Sequence, residues 1–142
     1  MATTRGKLTT GEIVIVAAGA IALVFSFFPW YRSGPFHVSA WGRTLFPLAT
    51  LVPLLGSLMM AQVLVDKLAG VRLPQRVGDF TWEQVHLVAA IGAVVIVVCY
   101  LLVDRVGFEF GFGFYFELVA AIALVVGAVM IRKERASASL RP

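Results

Sequence analysis

Glu117 is the residue most able to do chemistry in an otherwise apolar neighbourhood. It lies about one turn inside the last of four long apolar runs, within Phe114-Tyr115-Phe116-Glu117-Leu118. Counting by threes and fours, its helical face continues through Ala120, Ala121, Leu124 and Ala128, with Gly113 one turn before. Small residues in such a stripe let a second helix approach closely, so Glu117 is expected to point into a helical bundle. There it should seek a cation or a hydrogen-bond donor near the outer surface, where Arg32, Arg43 and Arg105 are the available bases. Three readings stand side by side: an ion pair locking the last helix to an outer loop, a proton- or cation-binding carboxylate in a carrier, and a carboxylate reaching up to water. Ala123-x-x-x-Gly127 offers a second small-residue contact slightly around the same helix, which makes Gly127 a packing candidate.

The remaining reactive side chains form no constellation. His37 has no cysteine or second histidine on its face to complete a metal site, so no metal is expected. His86, just inside the third run, is expected to face the cytoplasmic interface. Cys99 is the single cysteine, lies within the third run and reads as a small buried hydrophobe without an intramolecular disulfide. Gly111-x-Gly113 lacks the strand-to-helix context and basic partner of a phosphate loop. With no nucleophile–base set, metalloprotease motif or close carboxylate pair, neither enzymatic activity nor a cofactor is expected.

The elements that must position these residues follow from composition. Hydrophobic residues make up 60% of the 142 and charged residues 14%, with a mean hydropathy of +0.91, values outside the range of an ordinary soluble domain. The apolar runs cover residues 10–28, 45–65, 84–103 and 112–131. At ~1.5 Å per residue, about 20 residues match the ~30 Å hydrocarbon core of a bilayer. The expected fold class is an all-α membrane protein: one domain, a four-transmembrane-helix bundle with a small extracytoplasmic cap and short cytoplasmic tails at 1–9 and 132–142. The first run is too long for a signal peptide, leads straight into Phe27-Phe28-Pro29-Trp30-Tyr31 and is expected to be a retained helix.

Charge placement orients the chain. Arg5, Lys7, Lys67, Arg72, Arg76, Arg132, Lys133, Arg135 and Arg141 fall on one side, against Arg32, Arg43 and Arg105 on the other. The positive-inside rule puts both termini and the middle loop in the cytoplasm. Two helix starts share a signature: Thr9-Thr10-Gly11-Glu12 and Thr81-Trp82-Glu83-Gln84 both match the capping box, each with an apolar residue before the cap. The first and third helices should therefore begin at similar depth. Pro47 falls in the first turn of the second helix, while Pro53 lies further in and removes a backbone hydrogen bond.

The outer segments are the most distinctive. Ser33-Gly34-Pro35 is a turn signal, followed by strand-like alternation from Phe36 to Trp41, which predicts a short β-hairpin capping the bundle. Trp30, Tyr31 and Trp41 are expected at headgroup level, as in an aromatic belt. In the second outer segment phenylalanine recurs at every second position from 108 to 116, which reads as extended until about Gly113 and able to widen the cap.

Pro29-Trp30-Tyr31, then Ser39-Ala40-Trp41-Gly42, then Gly111-x-Gly113-x-Tyr115 resemble small four-span membrane proteins common in actinobacteria. That resemblance covers most of the chain in topology and implies location and architecture; some proteins of this general type are accessory subunits of cell-envelope machinery, including lipid uptake. It implies no activity. A likeness to claudin-like four-span proteins is discounted, because their paired loop cysteines are absent. The expected function is a non-catalytic integral membrane accessory or scaffold subunit of a larger cell-envelope or transporter complex, in the bacterial plasma membrane. The alternative is a small transporter or channel acting as a homo-oligomer. Expected partners are the lipid bilayer and either a larger membrane-protein complex or further copies of the chain, with no nucleic acid.

Overall fold

In the computed structural model, which describes residues 7–45, 47–103 and 106–140, helices α1 (Thr10–Phe25), α2 (Leu48–Lys67), α3 (Trp82–Leu102) and α4 (Phe112–Ser139) dominate. Three of them, α2, α3 and α4, are long and apolar enough to cross a membrane, whereas α1 has 16 residues. α1 packs along both α2 and α4, α3 packs along α4 and more sparsely along α2, and the diagonal contact between α2 and α4 is slight. The helices thus form a ring in chain order. Neighbours run antiparallel: the start of α1 meets the second half of α4 at Gly127 and Ile131, and the end of α3 meets the start of α2 where the Tyr100 hydroxyl donates to the Leu45 carbonyl.

Small residues set how closely the helices approach. A Cβ added at Gly19 would lie 2.5 Å from the Gly56 carbonyl oxygen of α2. One at Gly127 would lie 2.7 Å from Ile15 Cγ1 and 3.1 Å from the Gly11 carbonyl oxygen. These backbones approach as closely as only glycine permits, which maximises dispersion contact between the helices. The stripe on α4 from Gly113 through Glu117, Ala120, Ala121, Leu124 and Ala128 is buried throughout.

Both capping boxes form. Thr9 Oγ1 accepts from the Glu12 N–H at 3.3 Å while the Glu12 carboxylate accepts from the Thr9 N–H at 2.9 Å. Thr81 and Gln84 repeat the pattern at the start of α3, at 3.4 and 2.9 Å. Ion pairs join the helices at this charged end: Lys67 to Glu12 at 3.5 Å and Arg135 to Glu83 at 2.8 Å. The Gly11 N–H also donates to Glu134 Oε1 at 3.1 Å.

Strands occupy the loops. β1 (Tyr31–Ser33) and β2 (Phe36–Val38) form the expected hairpin, turning through Gly34 at φ 55°. β5 (Glu109–Phe110) adds to the other edge of β1, giving a three-stranded antiparallel sheet in the order β2-β1-β5. At the opposite end, β3 (Arg76–Val77) and β4 (Phe80–Thr81) make a second, unexpected hairpin around Gly78.

Several boundaries differ from the sequence reading. α4 continues to Ser139 rather than ending at 131, because Arg132-Lys133-Glu134-Arg135-Ala136 are good helix formers once the apolar face is satisfied. The residues read as a tail from 132 to 140 are therefore mostly helical. α1 stops at Phe25, and residues 26–28 form a turn leading to Pro29. α2 begins at Leu48 and continues through Pro53, with Pro47 immediately before it. The alternating phenylalanines turn helical at Phe112, one residue earlier than their spacing implied.

Candidate functional site

The cap is anchored by backbone contacts that need glycine. A Cβ at Gly111 would collide with the Pro29 carbonyl, and one at Gly113 would lie 2.8 Å from the Phe28 carbonyl oxygen. The Gly111 N–H donates to the Trp30 carbonyl at 2.7 Å, and the Trp30 N–H to the Val38 carbonyl at 2.8 Å. Gly111-x-Gly113 thus lets the start of α4 cross the exit of α1.

Those contacts press Trp30 inward. Its ring is fully buried, edge-on to Tyr100 and Phe114 at centroid distances of 5.6 and 5.5 Å. This corrects its placement in an aromatic belt: Trp30 is part of the core, because the chain on both sides of it is pinned to the neighbouring strands. Tyr31 is also buried, and its hydroxyl donates at 2.8 Å to the Tyr100 carbonyl, one of the carbonyls the end of α3 leaves without a helical partner. Trp41 stays partly exposed, stacked on Phe27 at 5.6 Å, and its Nε1–H donates to Ser26 Oγ at 2.8 Å. Beside it, the Thr50 hydroxyl donates to the Ala40 carbonyl at 2.6 Å, fixing the loop to α2.

Glu117 sits under this cap. Its side chain is 0% exposed, and neither carboxylate oxygen has a hydrogen-bond partner among the described residues. Its helical neighbours at one turn either side, Phe114 and Ala121, belong to the same core cluster as Trp30, whose Nε1–H is likewise buried without an acceptor. Arg32 and Arg43 are exposed, Arg32 lying opposite His37 and Glu109 in the sheet, and neither forms an ion pair with Glu117. Arg105 lies outside the described residues. The expected pairing is absent for Arg32 and Arg43 because the aromatic layer of Trp30 and Phe114 closes the core beneath the surface where they sit.

His86, expected from the sequence to face the cytoplasmic interface, is instead a second buried polar group. His86 is 4% exposed, its Nε2 has no partner among the described residues, and its ring lies edge-on to Trp82 at 6.4 Å. The available signal was its register: His86, Ala90, Ala93 and Val97 share the inward face of α3. His86 also walls a groove of about 370 Å³ between α2 and α3. Next to it is a small polar recess that includes Glu12, Asp66, Glu83 and Arg135. Among the described residues no group of three or more histidine, cysteine or acidic side chains is placed to hold a metal.

No family model, curated protein or solved structure matches the chain.

Proposed function

We propose that this chain is a four-crossing integral membrane protein serving as a non-catalytic accessory or scaffold subunit of a larger cell-envelope or transporter complex, with lipid transport the process it supports. On this reading α1 crosses with the other three. Its 16 helical residues cover about 24 Å, the turn through Phe28 continues toward the cap, and its start shares a capping box with that of α3. The basic surplus at the charged end favours both termini and the α2–α3 loop in the cytoplasm of a bacterium.

The carrying observation is the uneven cover of the helices. Only 22% of the apolar window of α3 is buried, against 39% for α2 and 44% for α4. Its open face runs Val88, Ile91, Val95 and Val98 at alternating three- and four-residue steps, and Gly92 beside them has nothing within 4 Å of where a Cβ would stand. Stiff β-branched side chains around a small-residue dip make a surface on which another helix can seat. The interior, by contrast, is filled with side chains and glycine-lined crossings, which suits support better than conduction.

The test is photocrosslinking from positions 92 and 95 in native membranes, followed by gentle detergent extraction and mass spectrometry. A stoichiometric protein adduct from these positions, with none from Val126 on the outer face of α4, is the expected result. Recovery of the chain with lipid adducts alone would overturn the accessory reading. Glu117, without a partner among the described residues, specifically favours the homo-oligomeric transporter as a second reading, since a buried carboxylate is costly without a counter-ion. Crosslinks from the same positions to a second copy of the chain would select it.

A further inference from the structure

Between α2 and α3 large apolar side chains are exposed together. Leu68 and Val71 on the way out of α2, and Val77 and Phe80 in the β3–β4 hairpin, are each at least 44% exposed. The hairpin has two unlike faces. Val77 stands directly opposite Phe80 and Arg76 opposite Thr81, so the apolar pair shares one side and the polar pair the other. Gly78, at φ 62°, and Asp79 make the turn between them.

The hairpin is also fixed in place. β4 runs into α3 without an intervening residue. The Trp82 Nε1–H donates to the Pro74 carbonyl at 2.6 Å, and an Arg76 guanidinium N–H donates to the Asp79 carbonyl at 2.6 Å. Thr81 caps α3 in a capping box, and the residue before such a cap characteristically folds back toward the fourth helical residue. For Phe80 that residue is Val85, so the ring is turned along the flank of α3 rather than away from the helix end. An apolar side held this way, at the start of a helix long enough to cross a membrane, meets the boundary layer of the bilayer.

The polar groups beside it suit the same layer. Arg72 and Arg76 are exposed, and neither is ion-paired among the described residues. Guanidinium groups match phosphate oxygens in charge and in fork geometry. Asp66 and Asp79 offset the charge of the two arginines, so the match is to the phosphodiester that phospholipids share and not to one headgroup. Trp82 adds an indole of the kind enriched at that depth.

We propose that the β3–β4 hairpin is an interfacial foot: Val77 and Phe80 enter the leaflet at the charged end of the bundle, and Arg72 and Arg76 take phosphate oxygens of the surrounding phospholipids. The foot sets the depth at which α2 ends and α3 begins. The inference rests on the membrane embedding proposed above, and on neither the sidedness nor the protein partner.

The test is electron paramagnetic resonance of the full chain in vesicles of phosphatidylethanolamine and phosphatidylglycerol. Nitroxides are placed on single cysteines in a Cys99→Ala background, and the ratio of collisions with oxygen and with a water-soluble nickel chelate reads the depth of each label. Labels at 77 and 80 are expected at least about 5 Å below the phosphates, the depth of interfacial apolar faces, and labels at 75 and 79 in water. Arg72→Gln combined with Arg76→Gln should shift the label at 80 toward water. All four labelled positions are exposed, so cysteine there removes no buried contact, and melting curves confirm that each variant is folded. Labels at 77 and 80 as open to the chelate as those at 75 and 79 would overturn the proposal, and so would an unchanged depth at 80 in the arginine variant. A label at 95, on the open face of α3, separates the two readings: if it too met the chelate, the membrane embedding itself would fail.

Discussion

Glu117 shows how a residue can face as its spacing implies while two of its expected partners, Arg32 and Arg43, stay at the surface. Its inward direction follows from helical periodicity, since Gly113, Ala120, Ala121 and Leu124 share its face and all are buried. Its surroundings depend on Trp30, whose inward turn is set by strand hydrogen bonds between segments far apart in the chain. A buried carboxyl with neither oxygen satisfied among the described residues contributes little to stability, and an apolar isostere there is neutral or stabilising by about 1–3 kcal/mol. Glu117→Leu is therefore expected to hold or raise the melting temperature in detergent; a fall of several degrees would restore the ion-pair lock, with Arg105 as the remaining base. Trp30 is the converse case. Truncating this fully buried ring to alanine should cost about 3–5 kcal/mol in an unfolding titration. Trp30→Phe should cost distinctly less, because the indole N–H has no acceptor to lose among the described residues.

At the scale of the elements, helix starts were legible and helix packing was not. Both capping boxes could be read because the motif is local: the cap and the residue it bonds are three apart. Thr9→Ala and Thr81→Ala should each cost about 1 kcal/mol, seen as faster amide exchange in the first turns of α1 and α3 and unchanged exchange mid-helix. The closest helix crossings pair Gly19 with Gly56 and Gly11 with Gly127, positions 37 and 116 residues apart in sequence, and only Gly127 of these stood out beforehand as a packing residue. Glycine substitution separates the packed crossing from the open face. Gly19→Ala drives a methyl into the α2 backbone and should destabilise by about 1–3 kcal/mol. Gly92→Ala meets nothing within 4 Å and should stabilise by up to about 1 kcal/mol through helix propensity. Equal effects from the two in a melting series would contradict the α1–α2 crossing.

For the whole molecule, the two ends are built differently. One end is tied by ion pairs between helices, the other by a sheet and a relay in which Tyr31 donates to the Tyr100 carbonyl and Tyr100 donates to the Leu45 carbonyl. The proposed topology puts the ion-paired end in the cytoplasm. Cysteines introduced at positions 7 and 140, in a background where Cys99 is replaced by alanine, should then both be labelled only after the membrane is made permeable. Labelling of one end and protection of the other would leave an odd number of crossings and remove the four-crossing reading.

Composition, local capping motifs and residue alternation, taken alone, determined that this chain is built of long apolar helices, where two of them start, and that the loop after the first turns back as a hairpin. These are properties of neighbouring residues and of sums over a segment, so they are present before the chain folds. Tertiary structure alone decided that Trp30 is core, that β5 completes the sheet, that α4 runs on to Ser139, and that Glu117 and His86 are enclosed with polar atoms unsatisfied among the described residues. Each depends on which distant backbone lies alongside, and in a chain this uniformly apolar, periodicity reports a face without identifying what covers it.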